Sequence, residues 1–283
     1  LGSGLTTVML ELWRRRFHRR GDPPALTLPF CLITWGLVAL VSPRMPDTIE
    51  TVKALNEDDS VRVIVVQGAG RAFSPGFDLK ASTEKKMESV QDWEQQMKLQ
   101  FDFIMQFWHS PKPTIAAVHG YCIAGAFELA LACDVTIAAE NTRFGEPEVR
   151  FGTGIVAMLL PWVTGPKQAK ELLLTGEDQL NAEDAFRMGI INRIVPDDAV
   201  LDRALEVAKS MAAAAERSVR YTKRAINDTY ATMGFNRALE SALDTDVLLN
   251  AAYDPVKAEF ARIRSEQGVK AAIAWRDARF REG

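Results

Sequence analysis

Three short runs, VRVIVVQ at 61–67, TIAAVHG at 114–120 and DVTIAAE at 134–140, constrain the fold of this chain more than anything else in it. Each is a nearly continuous apolar stretch rich in Val, Ile or Ala, whereas a strand with one wet face alternates apolar and polar residues. Such strands are buried on both sides, and INRIVP at 191–196 reads as strand-like too. Helix-compatible text separates them. DTIETVKALNEDDS places Ile49, Val52 and Leu55 at helical spacing, the mixed segment from Glu84 to His109 is long enough for several turns, and VAMLLPWVTG, PKQAKELLLTG and NAEDAFRMGI follow the apolar AFELALAC. From Asp198 onward the pattern is almost wholly helical. Strands alternating with helices, then helices alone, predict an α/β core with a helical C-terminal unit. The divisions expected are an atypical segment of uncertain structure over 1–45, a core over 46–197 and a helical region over 198–283.

With 283 residues, 47% hydrophobic and 25% charged, the chain can bury a generous core. A net charge of −3 and a pI near 5.8 give no basis for expecting nucleic acid as a partner. Cys31, Cys122 and Cys133 lack metal spacing, and His18, His109 and His119 are scattered, so no metal centre is expected. Buried thiols in a reducing, cytoplasmic setting are the expectation. WRRRFHRR at 13–20 precedes ALTLPFCLITWGLVALVS at 25–42, a basic block before an apolar run of nearly bilayer-spanning length. Pro29 and Gly36 interrupt that run, and no small-residue cleavage site follows it, so a membrane segment is not expected.

Within YCIAGAFELALACD at 121–134, Glu128 is a lone carboxylate in text bound for the interior. A buried acid there needs either a salt partner, with Arg143 and Arg150 the candidates, or a task. Gly125 stands where a helix should begin, and its N–H has no intrahelical partner, so it can donate to an oxygen that gains charge. Glu128, one turn further on, shares that face. A second acid, Glu148, follows Pro147 in RFGEPEV; it is either a solvated loop acid or the partner in acid–base work. Glu146 is expected to be exposed, and His119 to be a structural residue at a strand end.

Taken together, VRVIVVQGAGRAFSPGFDLK, KPTIAAVHGYCIAGAFELALACDVTIAAENTRFGEPEV and KELLLTGEDQLNAEDAFRMGIINRIVP resemble the crotonase, or enoyl-CoA hydratase/isomerase, superfamily. The resemblance implies a spiral of ββα units, a helical tail that builds homotrimers or hexamers, and acyl-coenzyme A thioesters as substrates. It implies no cofactor beyond the coenzyme A of the substrate itself. It assigns the two amides of an oxyanion hole to Phe77 and Gly125, and catalysis to Glu128 and Glu148, whose separation matches that of the family's hydratases. Gly76, Asp78, Leu79 and Lys80 would line the coenzyme A path. The reaction implied is addition of water to an enoyl thioester or its removal. Double-bond isomerisation, a carnitinyl-CoA-type dehydration and a catalytically weak assembly subunit are the alternatives. The sequence departs from the family pattern before SPRMPDTIE, in IAGAFE, at Phe77, and in GIVAMLLPW, where the family's Pro-Gly-Gly-Thr text is missing.

Overall fold

The computed structural model of the chain describes residues 30–35, 45–78 and 87–280, with backbone alone over 30–35. Leu79 and Lys80 lie outside the described residues. Eight strands are described: β1 Phe30–Trp35, β2 Val63–Gly68, β3 Thr114–Val118, β4 Tyr121–Ile123, β5 Val135–Ala139, β6 Arg143–Gly145, β7 Leu180–Asn181 and β8 Arg193–Val195. The helices are α1 Met45–Glu57, α2 Val90–His109, α3 Gly125–Ala132, α4 Leu160–Val163, α5 Pro166–Thr175, α6 Ala182–Arg187, α7 Val200–Ala213, α8 Glu216–Thr232, α9 Phe235–Ala251, α10 Pro255–Gln267 and α11 Val269–Ala278.

The strand candidates join a five-stranded sheet in the order β1-β2-β3-β5-β8, every pairing parallel. Its strands are apolar throughout because both faces are covered. Val63, Val65, Ile115, Ala117, Ile137 and Ala139 point to one side, where α7 seals them with Val200, Ala204, Ala208 and Ala212. Ile64, Val66, Ala116, Val118 and Ala138 point to the other, into the main core with Phe103, Phe107, Phe127 and Leu129. Val52 and Leu55 are buried in that core and Ile49 packs against it, as their helical spacing requires. The strand β1 falls inside the apolar run at 25–42 and pairs with β2 from Phe30↔Val63 to Trp35↔Gly68. Among the described residues no helix is long and apolar enough to cross a membrane.

A second sheet, β4-β6-β7, is made of strands two or three residues long. Strands this short leave no periodicity in the sequence. A turn at Gly120 sends the chain from the large sheet into the small one; its φ is +62°, and a Cβ there would lie 2.3 Å from the Arg71 carbonyl oxygen. The order β3, β4, α3 places one strand in each sheet before a helix, which is the expected ββα unit, and β5 and β6 repeat the strand pair. The helix α2 begins at Val90, where Ser89 and Asp92 form a capping box. Cys122 and Cys133 are buried free thiols.

Candidate active site

The loop after β2 is stitched to the start of the next unit. Phe73 N–H donates to the His119 carbonyl at 2.7 Å, Ser74 N–H to Tyr121 at 3.0 Å, and Ile123 N–H to Ser74 at 3.2 Å. These bonds lay Gly76 and Phe77 against the first turn of α3. A Cβ on Gly76 would sit 2.7 Å from the Ala124 Cβ and 3.6 Å from the Gly125 nitrogen; one on Gly125 would strike the Phe77 ring at 2.2 Å. Glycine at both positions permits this approach, which sets Gly76 beside the Gly125 nitrogen and lays the Phe77 ring over Gly125. Asp78 is half-buried at the end of the same loop. The helix starts at Gly125 as expected, after Ala124 at φ 59° and ψ −138°, a conformation that costs a non-glycine residue energy.

Glu128 is 1% exposed and pairs with neither arginine proposed for it. Arg150 faces Asp178 at 3.6 Å, and Arg143 donates to the Thr142 carbonyl at 3.1 Å. The Glu128 carboxylate instead accepts two backbone N–H groups, Val156 at 3.3 Å on Oε1 and Ala157 at 2.7 Å on Oε2. Both donors lie in GIVAMLLPW, the stretch where the family text is missing, so this segment still supplies the site's backbone donors.

Glu148 opens a short 3-10 turn, Glu148–Phe151, behind Pro147. It is not a solvated loop acid: its Oε2 is shut off from water without a partner. Glu146, expected on the surface, is 1% exposed, because it closes β6 and its N–H donates to the Glu177 carbonyl at 2.9 Å, which turns the side chain inward. Carboxylate oxygens of Glu128, Glu146 and Glu148 all lie within 4.8 Å of one another. Burial drives all three away from ionisation. Glu148 is raised to about 7, first by burial, with the Glu146 hydrogen bond pulling it down and the Asp246 charge adding to it. Glu128 is raised well above the usual carboxylate range by burial and then by Glu148, and the Ala157 and Val156 N–H bonds only partly oppose this. Glu146 is likewise raised by burial, then by Glu148 and Glu128. Glu146 and Glu148 each keep one carboxyl oxygen, Oε2, shut away from water and without a hydrogen-bond partner.

Asp246 of α9 reaches the same place and was not singled out from the sequence. It accepts the Asn250 amide at 2.6 Å, and burial raises it to about 6, with the neighbouring Gly154 N–H pulling it back. Lys257 donates to the Asn250 Oδ1 at 3.0 Å and sits 4.2 Å above the Trp93 ring. The sequence signal was there: Leu239, Asp246 and Asn250 fall on one buried face of α9, two polar residues on an apolar stripe. Arg276, also missed, exerts an attraction on Glu148 and bonds Asp178 at 3.1 Å.

The geometry has counterparts in known proteins. The sequence model for enoyl-CoA hydratase/isomerase matches residues 38–253. The chain belongs to that family. Relatives include a crotonyl-CoA hydratase of Syntrophomonas wolfei subsp. wolfei, 33% identical over 211 residues, covering 72% of this chain and 78% of the relative. A crystal structure of an enoyl-CoA hydratase/isomerase from Xanthobacter autotrophicus Py2 superposes with a TM-score of 0.84 at 48% identity, over 85% of this chain and 90% of that one. An enoyl-CoA hydratase from Bacillus anthracis gives 0.63 at 27% identity, over 74% and 81%. For a member of the enoyl-CoA hydratase/isomerase family, the fold is the crotonase fold expected from the motifs.

Proposed function

We propose that this enzyme adds water across the double bond of an enoyl-coenzyme A thioester, or removes it in reverse. The observation that carries the reading is the convergence of two acids, the buried Glu128 and the half-buried Glu148, beside the start of α3. The thioester oxygen would sit between the Phe77 and Gly125 amides, and each such donor contributes about 3 kcal/mol to holding the enolate. Fixed by two N–H groups, Glu128 takes a proton from water as its oxygen bonds to the β-carbon. Glu148, poised at about 7, gives a proton to the α-carbon as the enolate collapses. One acid gains a proton and the other loses one, and exchange between them or with solvent resets the pair. Gly76 and Asp78 border the coenzyme A path in this reading.

Isomerisation of the double bond is the second reading, and one observation favours it. Both Glu128 oxygens already accept N–H bonds, which leaves Glu148 as the acid freer to shuttle a proton between carbons. Mass spectrometry of crotonyl-CoA and a 3-enoyl-CoA after incubation, with ultraviolet absorbance to report whether the double bond is conjugated with the thioester, separates the two. Hydration adds the mass of one water to the thioester; isomerisation changes the position of the double bond at constant mass. An unchanged thioester in both cases, with folded protein, contradicts the enzymatic reading and favours a binding or assembly subunit.

A further inference from the structure

Hydration by Glu128 and Glu148 leaves a third acid, Glu146, without a task. Glu146 is 1% exposed, its Oε2 has no partner, and its carboxyl lies within 4.8 Å of those of Glu148 and Glu128. Carboxylates crowded this closely repel one another where little water reaches to screen them, so a proton retained on one of them is favoured. The surroundings decide which. Glu146 faces the charges of Glu148 and Glu128 and the Cys122 thiol of β4, with no cation paired to it among the described residues. Glu148 is only half-buried; the charge of Asp246 of α9, tempered by Lys257 of α10, disfavours its anion, and the Arg276 guanidinium of α11 favours it. Negative charge is therefore better tolerated on Glu148 than on Glu146.

We propose that Glu146 is a positioning residue, a permanently neutral acid that donates a hydrogen bond to one oxygen of Glu148 and leaves the other oxygen to exchange its proton with substrate. The proposal rests on the reading of Glu148 as the acid at the α-carbon. The Glu146 bond fixes the orientation of that carboxyl. It also stabilises the Glu148 anion, so the proton is released to carbon more readily than burial alone would allow. The proton on Glu146 moves nowhere during the reaction.

Two variants and two readouts test this. Glu146→Gln keeps an N–H donor in nearly the same place, and Glu146→Leu keeps the volume without a donor. In Glu146→Leu the alkaline limb of the kcat/KM profile for crotonyl-CoA should move up by about one pH unit, with kcat down about tenfold. In Glu146→Gln the limb should stay and most of kcat should return. Equal behaviour of the two variants, or an unmoved limb in both, overturns the proposal, since space-filling alone predicts it. Carbon-13 NMR of protein labelled at glutamate carboxyls supplies the substrate-free readout. A protonated-acid signal that persists through pH 8 in the wild type should be missing from Glu146→Gln. If every glutamate is ionised at pH 8, the neutral acid does not exist. If that signal is present while no enoyl thioester is turned over, the hydration reading fails and the neutral donor stands.

Discussion

The two ends of the eight-residue helix α3 treat buried acids in opposite ways. Beyond its C-terminus Asp134 accepts from the Thr114 N–H at 2.7 Å and Thr114 hydroxyl at 3.1 Å, and pairs with Lys223 at 2.7 Å. Lys223 is satisfied in turn by the Phe107 and Lys112 carbonyls at 3.3 and 3.1 Å. Burial raises Asp134, and each of those neighbours pulls it back. At the N-terminal end Glu128, Glu146 and Glu148 meet within 4.8 Å, and among the described residues none forms an ion pair. There the neighbouring charges add to the effect of burial on Glu128 and Glu146 rather than oppose it. A buried acid that serves the fold is neutralised by a cation; one kept for proton transfer is left close to its titration point.

The contrast is sharpest under substitution. Glu148→Gln should lower crotonyl-CoA hydration about a thousandfold, roughly 4 kcal/mol of barrier, while the protein unfolds no more easily in urea at pH 8. Asp134→Ala should do the reverse. It strands the Lys223 cation in the interior and should cost about 3 kcal/mol of unfolding free energy, with turnover per folded molecule unchanged. A thousandfold rate loss in Asp134→Ala would break the comparison.

Stability should also depend on pH in a direction set by the active end. Glu148 is raised from 4.5 to about 7, so between those values the folded chain holds a proton that the unfolded chain has released. The contribution is fully present below about 4.5 and is lost as the pH rises through about 7. Urea unfolding of the wild type should thus lose about 2 kcal/mol across that window relative to Glu148→Gln, a figure kept modest because the group is not wholly cut off from water. A slope identical in the two proteins contradicts the assignment. The smallest effect belongs to the backbone: Ala124→Gly should relieve the positive φ at the helix start and stabilise by about 1 kcal/mol, read as a rise in melting temperature.

Much of this was legible in the sequence. The all-apolar runs foretold a sheet covered on both faces, and Ile49, Val52 and Leu55 gave the inward face of α1. Gly125 at a helix start and Glu128 one turn later were placed by elementary helix geometry. The small sheet was not legible, because strands of two or three residues carry too little periodicity to rise above turn signals. Glu146 was misplaced for a related reason. In RFGEPEV the outward or inward sense of each acid depends on where β6 stops, and only the fold decides that. Asp246 comes from a helix nearly a hundred residues beyond Glu148, and no local pattern reports such a tertiary meeting.

Initial rates of crotonyl-CoA hydration for wild type, Glu128→Gln, Glu148→Gln and Asp134→Asn, each corrected for folded fraction, test the central claim most directly. The account predicts that the two glutamine variants fall by at least a hundredfold while Asp134→Asn stays within a few-fold of wild type. Equal rates in all four proteins, or loss confined to Asp134→Asn, would show that the unpaired acids at the start of α3 do not carry the chemistry.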